Sequence, residues 1–227
     1  MKTLIKFFFF FLGSTMIFSQ RTSQSIIAGD GNLYINTAGA KETLNLSEIE
    51  GSPYFQNDFL YAFVDEDTSK PHKLRYNAYK DEMEFMNNGE IYYIDKNKYK
   101  SITFEPFKKY VLVNYELNNE EVHGYLIEIL AGNYSLYQTE RKKFLPERTV
   151  SRGLSETHTP AQFREADEVF FIKLQNGNIL ELPSSKSKLA DLFGDYSKSV
   201  NQYLKENKIS LKNQNDLKKL FQYINSL

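Results

Sequence analysis

One of the few dense clusters of acidic residues lies in the segment LRYNAYKDEMEFMNNGEIYYI, residues 74–94, among aromatic residues. Its carboxylates belong to Asp81, Glu82, Glu84 and Glu90. Carboxylates that converge can bind a cation or work as a general acid and base. Whether these converge depends on the local structure, because alternate residues of a β-strand point to opposite faces.

The dipeptide Asn88-Gly89 predicts a two-residue hairpin turn in this segment, since a type I′ turn needs a positive φ at both central positions. Opposed residues of a hairpin share a face of the sheet. The predicted opposed pairs are Phe85 with Tyr92, Met83 with Ile94, Glu84 with Tyr93, and Glu82 with Asp95.

This pairing favours a structural role for most of the carboxylates. We interpret Glu82 and Glu84 as the solvated face of a half-buried hairpin. Glu82 and Asp95 would be like charges opposite each other, which is mildly unfavourable. A weakly bound cation or a nearby lysine would relieve the repulsion. Glu82 and Asp95 are therefore the candidate metal ligands, and we assign no catalytic and no cofactor-binding residue.

Other chemical motifs are missing from the sequence. The three histidines, His72, His123 and His158, have no zinc-binding spacing. There is no cysteine, so no thiol nucleophile and no disulfide. No Gly-x-Ser-x-Gly motif occurs. The stretch from Asp65 to Tyr76 begins like a calcium loop but lacks its glycine and its final glutamate, and we interpret it as a turn.

The first residues predict an exported protein. Lys2 and Lys6 form a positive region before an apolar run, Phe7–Phe18, that is too short to span a bilayer. We expect a signal peptide over residues 1–19, with cleavage after Ser19. Because no cysteine is available for acylation, we expect a secreted or periplasmic chain with no transmembrane segment in its mature part.

Charge excludes one class of partner. The formal net charge of the whole chain is −1. Residues 184–227 carry more basic than acidic side chains, whereas residues 20–183 carry more acidic than basic ones. Nucleic-acid-binding proteins usually carry a strongly basic patch, and the modest excess of lysine in residues 184–227 is not such a patch. We expect no nucleic-acid partner.

Residues 20–183 predict one antiparallel β domain. Short runs rich in Ile, Val, Phe and Tyr alternate with tight-turn signals such as Gly132-Asn133 and Asn176-Gly177, and tight turns join antiparallel neighbours. Residues 144–167 lack periodicity and predict a long loop, which is either disordered or the best place for a partner contact.

After Pro183 the apolar period changes from two to 3.6, which predicts a subdomain of two or three short helices over residues 184–227. In the last helix Asn213 is the expected cap, with Asp216 three residues after it. Its apolar stripe consists of Leu217, Leu220, Phe221 and Ile224. Short helices cannot bury such stripes alone, so we expect them to pack on the sheet.

Three segments together resemble an uncharacterised family of exported proteins of Bacteroidota. They are GSPYFQNDF, LRYNAYKDEMEF and the lysine-rich stretch from Leu192 to Asn225. The resemblance covers most of the mature chain. It implies an envelope location and supplies no catalytic residues.

The sequence thus predicts an α+β protein: a mostly antiparallel sheet, curved as a half-barrel or stacked as a sandwich, with a C-terminal helical subdomain. We expect a non-enzymatic envelope or secreted binding module that needs no cofactor. Its partner could be an envelope protein, a glycan or an apolar ligand. A carboxylate-based hydrolase and a carrier of a lipid-like molecule are the alternatives.

Overall fold

The computed structural model describes residues 23–28, 31–36, 46–65, 67–106, 108–117, 120–152 and 155–227. The predicted signal peptide, residues 1–19, lies outside these residues. The strands are β1 Ser23–Ala28, β2 Gly31–Asn36, β3 Leu60–Val64, β4 Asp67–Asn77, β5 Glu82–Asn87, β6 Glu90–Ile94, β7 Ser101–Phe104, β8 Lys108–Leu117, β9 Glu120–Leu130, β10 Ser135–Gln138, β11 Lys142–Leu145, β12 Arg148–Arg152, β13 Ser155–Thr159, β14 Gln162–Glu165, β15 Phe170–Lys173 and β16 Ile179–Glu181. The α-helices are α1 Lys186–Asp191, α2 Ser197–Glu206 and α3 Gln214–Ile224.

Twelve of these strands form one antiparallel sheet in the order β1-β2-β6-β5-β4-β3-β7-β8-β9-β10-β15-β16. The sheet is open but strongly curved. Tyr76 of β4 packs against Tyr110 of β8 and Tyr125 of β9, with ring centroids 4.6 Å and 6.1 Å apart. Strands that are three and four places apart can meet only if the sheet folds over itself. The predicted antiparallel sheet with C-terminal helices is confirmed.

The hairpin at Asn88-Gly89 forms in the predicted register. Asn88 has φ +51° and Gly89 has φ +81°, as a type I′ turn requires. Glu84 pairs with Tyr93, and Phe85 pairs with Tyr92. The turn chemistry therefore sets which side chains share a face.

Three apolar clusters stabilise the fold. The concave face of the curved sheet holds the first, around Leu74, Met83 and Ile102. The second lies on the opposite face, where Tyr115, Leu126, Tyr137 and Phe171 pack together. The third lies between the helices and strands β10 and β15.

In this third cluster α3 contributes Leu217, Leu220, Phe221 and Ile224, which meet Leu136 of β10 and Ile172 of β15. The expected cap is present, because the Asn213 side chain accepts a hydrogen bond from the Asp216 amide at 3.0 Å. Among the residues placed by the structure, no helix is long and apolar enough to cross a membrane.

Residues 142–152 and 155–165 contain four paired strands, which we call the arm, so the prediction of a long loop over residues 144–167 is wrong. β11 pairs with β14, and β12 pairs with β13. The base of the arm is anchored by Phe163, whose ring packs 5.2 Å from that of Tyr79. The sequence shows no period of two here because most side chains on both faces of the arm are polar.

Candidate functional site

Glu84 is the first departure from the predicted hairpin, because its side chain is not solvated. The residue is 1% exposed. Arg75, its cross-strand partner, donates to Glu84 Oε2 from Nε at 2.9 Å and from Nη2 at 2.6 Å. Asn77 and Tyr54 donate to Oε1 at 2.8 Å and 3.2 Å. The interpretation of Glu84 as part of a wet face is therefore wrong.

The physical reason is the segment before β3, which covers this face of the hairpin. Pro53 and Tyr54 are buried there, and the Tyr54 ring lies 3.8 Å from the guanidinium carbon of Arg75. A buried carboxylate needs partners for both oxygens. Glu84 has four hydrogen bonds and a counter-ion, so it is a structural residue.

Asp81 and Arg141 form a second network, which we call the clasp. Asp81 ends the β4–β5 turn with φ +56°, and its Oδ1 lies 2.9 Å from Arg141 Nη1. The Tyr125 amide lies 3.2 Å from either Asp81 oxygen, and Arg141 Nη2 donates to the Tyr125 carbonyl at 3.0 Å. The β9–β10 pairing stops at Ile127 and Gln138. The clasp thus satisfies the backbone of β9 where the neighbouring strand ends.

The candidate metal ligands Glu82 and Asp95 lie beside a lysine. Lys96 Nζ is 3.5 Å from Glu82 Oε1 and 3.5 Å from Asp81 Oδ2. Asp95 is 3% exposed, and its Oδ1 accepts hydrogen bonds from the amide and side chain of Asn97. Within the described ranges, no group of three or more acidic or histidine side chains could hold a metal ion. Lys96 is therefore a nearby lysine of the kind that was expected to relieve the repulsion at Glu82.

The histidines lie in separate elements: His72 in β4, His123 in β9 and His158 in β13. His123 is exposed, with Nδ1 2.6 Å from the Asn114 amide oxygen. Burial lowers the pKa of His72. At the start of the calcium-like stretch, Asp65 accepts hydrogen bonds from the backbone amides of Lys100 and Ser101. The three histidines are therefore dispersed over separate strands, and Asp65 stabilises the backbone at the start of β7.

The best-formed candidate site is an apolar cavity of about 190 Å³ inside the fold of the curved sheet. Its lining is Phe55, Gln56, Leu60, Arg75, Tyr76, Phe104, Glu105, Pro106, Lys108, Tyr110 and Glu140. Phe55 and Leu60 are 42% and 37% exposed, so the cavity opens beside apolar surface. Strands β3, β4, β7 and β8 supply most of its walls, which the curvature brings together.

A three-residue group forms one wall of the cavity. Glu140 accepts hydrogen bonds from the Lys108 ammonium on one oxygen and from the Tyr110 hydroxyl on the other. Burial, followed by the negative charge of Glu140, raises the pKa of Tyr110 far above its usual range. At neutral pH this wall therefore presents a neutral tyrosine and a paired lysine and glutamate.

A polar trough of about 570 Å³ continues from this wall towards α3. Pro106, Lys108 and Glu140 line both spaces. The side-chain amides of Gln138 and Gln214 also line the trough. Gln214 donates to the Gln138 side-chain oxygen at 3.0 Å. The apolar cavity and the polar trough therefore adjoin at Pro106, Lys108 and Glu140, and we call the two spaces together the groove.

Sequence reasoning missed this groove. Lys108 and Glu140 are 32 residues apart in the chain and belong to no local motif. The one available signal was the enrichment in tyrosine and phenylalanine, which does not separate core residues from cavity walls. No family model, curated protein or solved structure matches the chain.

Proposed function

We propose that the chain is a non-enzymatic binding module that takes a single apolar group of its partner into the cavity between β3, β4, β7 and β8. The observation that carries this proposal is an apolar space of about 190 Å³ bordered by the exposed side chains of Phe55 and Leu60. Exposed apolar side chains around a concave apolar space are typical of ligand and protein contacts.

The size of the cavity favours one ring or a short aliphatic group. An apolar cavity of about 150 Å³ in a protein core admits one benzene molecule. Drug-sized ligands occupy pockets of about 300–1,000 Å³. A side chain of a partner protein or one ring of a small ligand therefore fits better than a whole lipid-like molecule. The adjoining polar trough can accept the polar remainder of such a partner.

The hydrolase alternative has one observation in its favour, because Glu105 and Glu140 line the same cavity. A pair of carboxyl groups could act on a glycosidic bond. The hydrogen bonds of Glu140 argue against it. Lys108 and Tyr110 donate to its two oxygens, so donors within the chain already engage both oxygens, and neither is directed at a substrate.

Titration with p-cresol and indole tests the binding proposal. We expect amide NMR shifts at the residues that line the cavity. Leu60→Trp fills the cavity from β3 and should abolish the shifts. Tyr61→Trp is the matched control, because Tyr61 follows in the same strand, points to the other face and lies under Lys73. Absence of shifts in the wild type, or unchanged shifts in the Leu60 variant, would refute the proposal.

We also propose that the protein is exported. The support is the lysine-flanked apolar run Phe7–Phe18, together with the resemblance to an exported family. Expression of the full chain in a bacterium with an outer membrane, followed by cell fractionation and intact mass measurement, tests this. We expect protein outside the cytoplasm with its first residue near Gln20. A cytoplasmic chain that keeps its first residues would contradict it.

A further inference from the structure

The tip of the arm is a two-stranded sheet whose outer edges face no other strand within the part of the chain that the structure describes. β12 and β13 pair over five residues, from Arg148 with Thr159 to Arg152 with Ser155. Among the strands that the structure describes, no other pairs with either. The side chains of residues 156–159 are all exposed. A two-stranded hairpin alone is of marginal stability in water, and an unpaired edge is a template for another strand.

The pairing pattern identifies which backbone groups of β13 point outward. Arg152 and Ser155 close the hairpin with two residues between them, so they form a hydrogen-bonded pair. Hydrogen-bonded and non-bonded pairs alternate along an antiparallel ladder. Thr157 therefore bonds to β12, whereas the amide and carbonyl groups of Glu156 and His158 point away from it.

We propose that this outer edge of β13 binds β13 of a second copy of the chain. Antiparallel pairing about a two-fold axis at Thr157 sets Glu156 of each copy opposite His158 of the other. The outward amides and carbonyls then meet as hydrogen-bonded pairs. The result is a four-stranded sheet, which meets the usual requirement for a stable β structure.

Side-chain hydrogen-bonding capacity selects β13 over β12 for this contact. Pairing of β13 twice sets a carboxylate, which accepts hydrogen bonds, opposite an imidazole, which can donate one, whereas the sequence of β12, RTVSR, contains no acidic residue. Cross-strand pairs of complementary side chains stabilise a sheet. Within one chain Glu147 lies 3.9 Å from His158 and competes only weakly for it, because both side chains are more than half exposed.

The expected interface is small. One five-residue strand against its copy gives less contact than the standard protein interface, so self-association should be weak and should increase with protein concentration. Analytical ultracentrifugation of the full mature chain, from micromolar to millimolar concentration, measures it. We expect a monomer that converts reversibly to a dimer. A chain that stays monomeric over this whole range would overturn the proposal.

Charge variants test the register. His158→Glu sets two glutamates opposite each other and should weaken self-association on the order of tenfold. Glu156→Lys removes the carboxylate that faces His158 of the other copy and should weaken it likewise.

A mixture of the two variants should associate. The unchanged Glu156 of one chain then meets the unchanged His158 of the other, and the two introduced side chains, one glutamate and one lysine, face each other with opposite charges. Arg148→Glu, on the other strand, is the control and should leave association unchanged. Failure of the mixture to associate, or loss in the control, would refute the β13 register.

Discussion

The Asp81 carboxylate occupies the space in which a side chain at Gly124 would begin. A Cβ at position 124 would overlap Asp81 Oδ2 and would lie 3.3 Å from Arg141 Nη2. The next residue, Tyr125, donates its amide to the same carboxylate. The glycine therefore allows the clasp to reach the backbone of β9, and the two positions depend on each other.

Gly124→Ala should destabilise the protein by about 2–3 kcal/mol, because the new methyl group pushes Asp81 from Arg141 and from the β9 backbone. Urea denaturation measures the change. The control is the same substitution in an Asp81→Ala background, where the clash is absent and the cost should fall by more than half. Equal costs in the two backgrounds would show that Asp81 and Gly124 are not coupled.

Glu84→Gln should cost about 3 kcal/mol of stability, since it leaves the Arg75 guanidinium, whose side chain is only 12% exposed, without its counter-ion. The double variant Arg75→Met with Glu84→Leu should cost less than Glu84→Gln alone, because no charge is then left in the interior. Thermal or urea unfolding of both variants measures this. A double variant less stable than the single one would mean that the ion pair contributes net stability.

The buried tyrosines should make the protein sensitive to alkali. Burial, with the charge of Asp81 after it, raises the pKa of Tyr76 well above its usual value of 10.0, and burial likewise raises the pKa of Tyr125. In the unfolded chain these groups lose their protons near pH 10. The folded state therefore keeps more protons above pH 10, and the free energy of unfolding falls as the pH rises.

Absorbance at 295 nm, followed from pH 8 to 13, reports this ionisation. We expect the exposed tyrosines to titrate first and the buried ones to ionise together with the loss of circular dichroism. Tyr76→Phe should leave the second step in place with a smaller amplitude. A single smooth titration of all tyrosines in a folded protein would contradict the burial of these hydroxyls.

The substitution Glu140→Gln distinguishes the proposed binding module from the hydrolase alternative. The substitution keeps the shape of the cavity wall and removes the charge that pairs with Lys108. We expect the affinity for p-cresol to change by no more than about twofold, because the apolar walls supply most of the binding. Isothermal titration calorimetry or NMR titration measures it. If the wild type hydrolyses a glycoside and this variant does not, the hydrolase alternative replaces the binding module.

The sequence predicted the elements whose signals are local. The dipeptide Asn88-Gly89 predicted a hairpin turn and the register of its strands, and the apolar stripe of α3 with its Asn213 cap predicted a helix. The burial of Glu84 was not predictable, because it depends on Tyr54, which lies 30 residues earlier in the chain and covers the hairpin. The carboxylates were identified by residue type, whereas their environment is a property of the tertiary fold.

The arm and the cavity were missed for related reasons. The arm has polar residues on both faces, so no period of two marks its strands. The cavity depends on the curvature of the sheet, which brings Leu60 of β3 near Tyr110 of β8. The sequence predicted a curved sheet or a sandwich, but it did not indicate which strands the curvature would bring together.

The arm begins and ends at two strands that are already neighbours. Tyr137 of β10 pairs with Phe171 of β15, although the whole arm lies between them in the chain. Removal or exchange of residues 148–159 would thus leave the order of the main sheet intact. Evolution can lengthen, trim or replace this tip without rebuilding the body, and a protein engineer can use it as a grafting position for a foreign epitope.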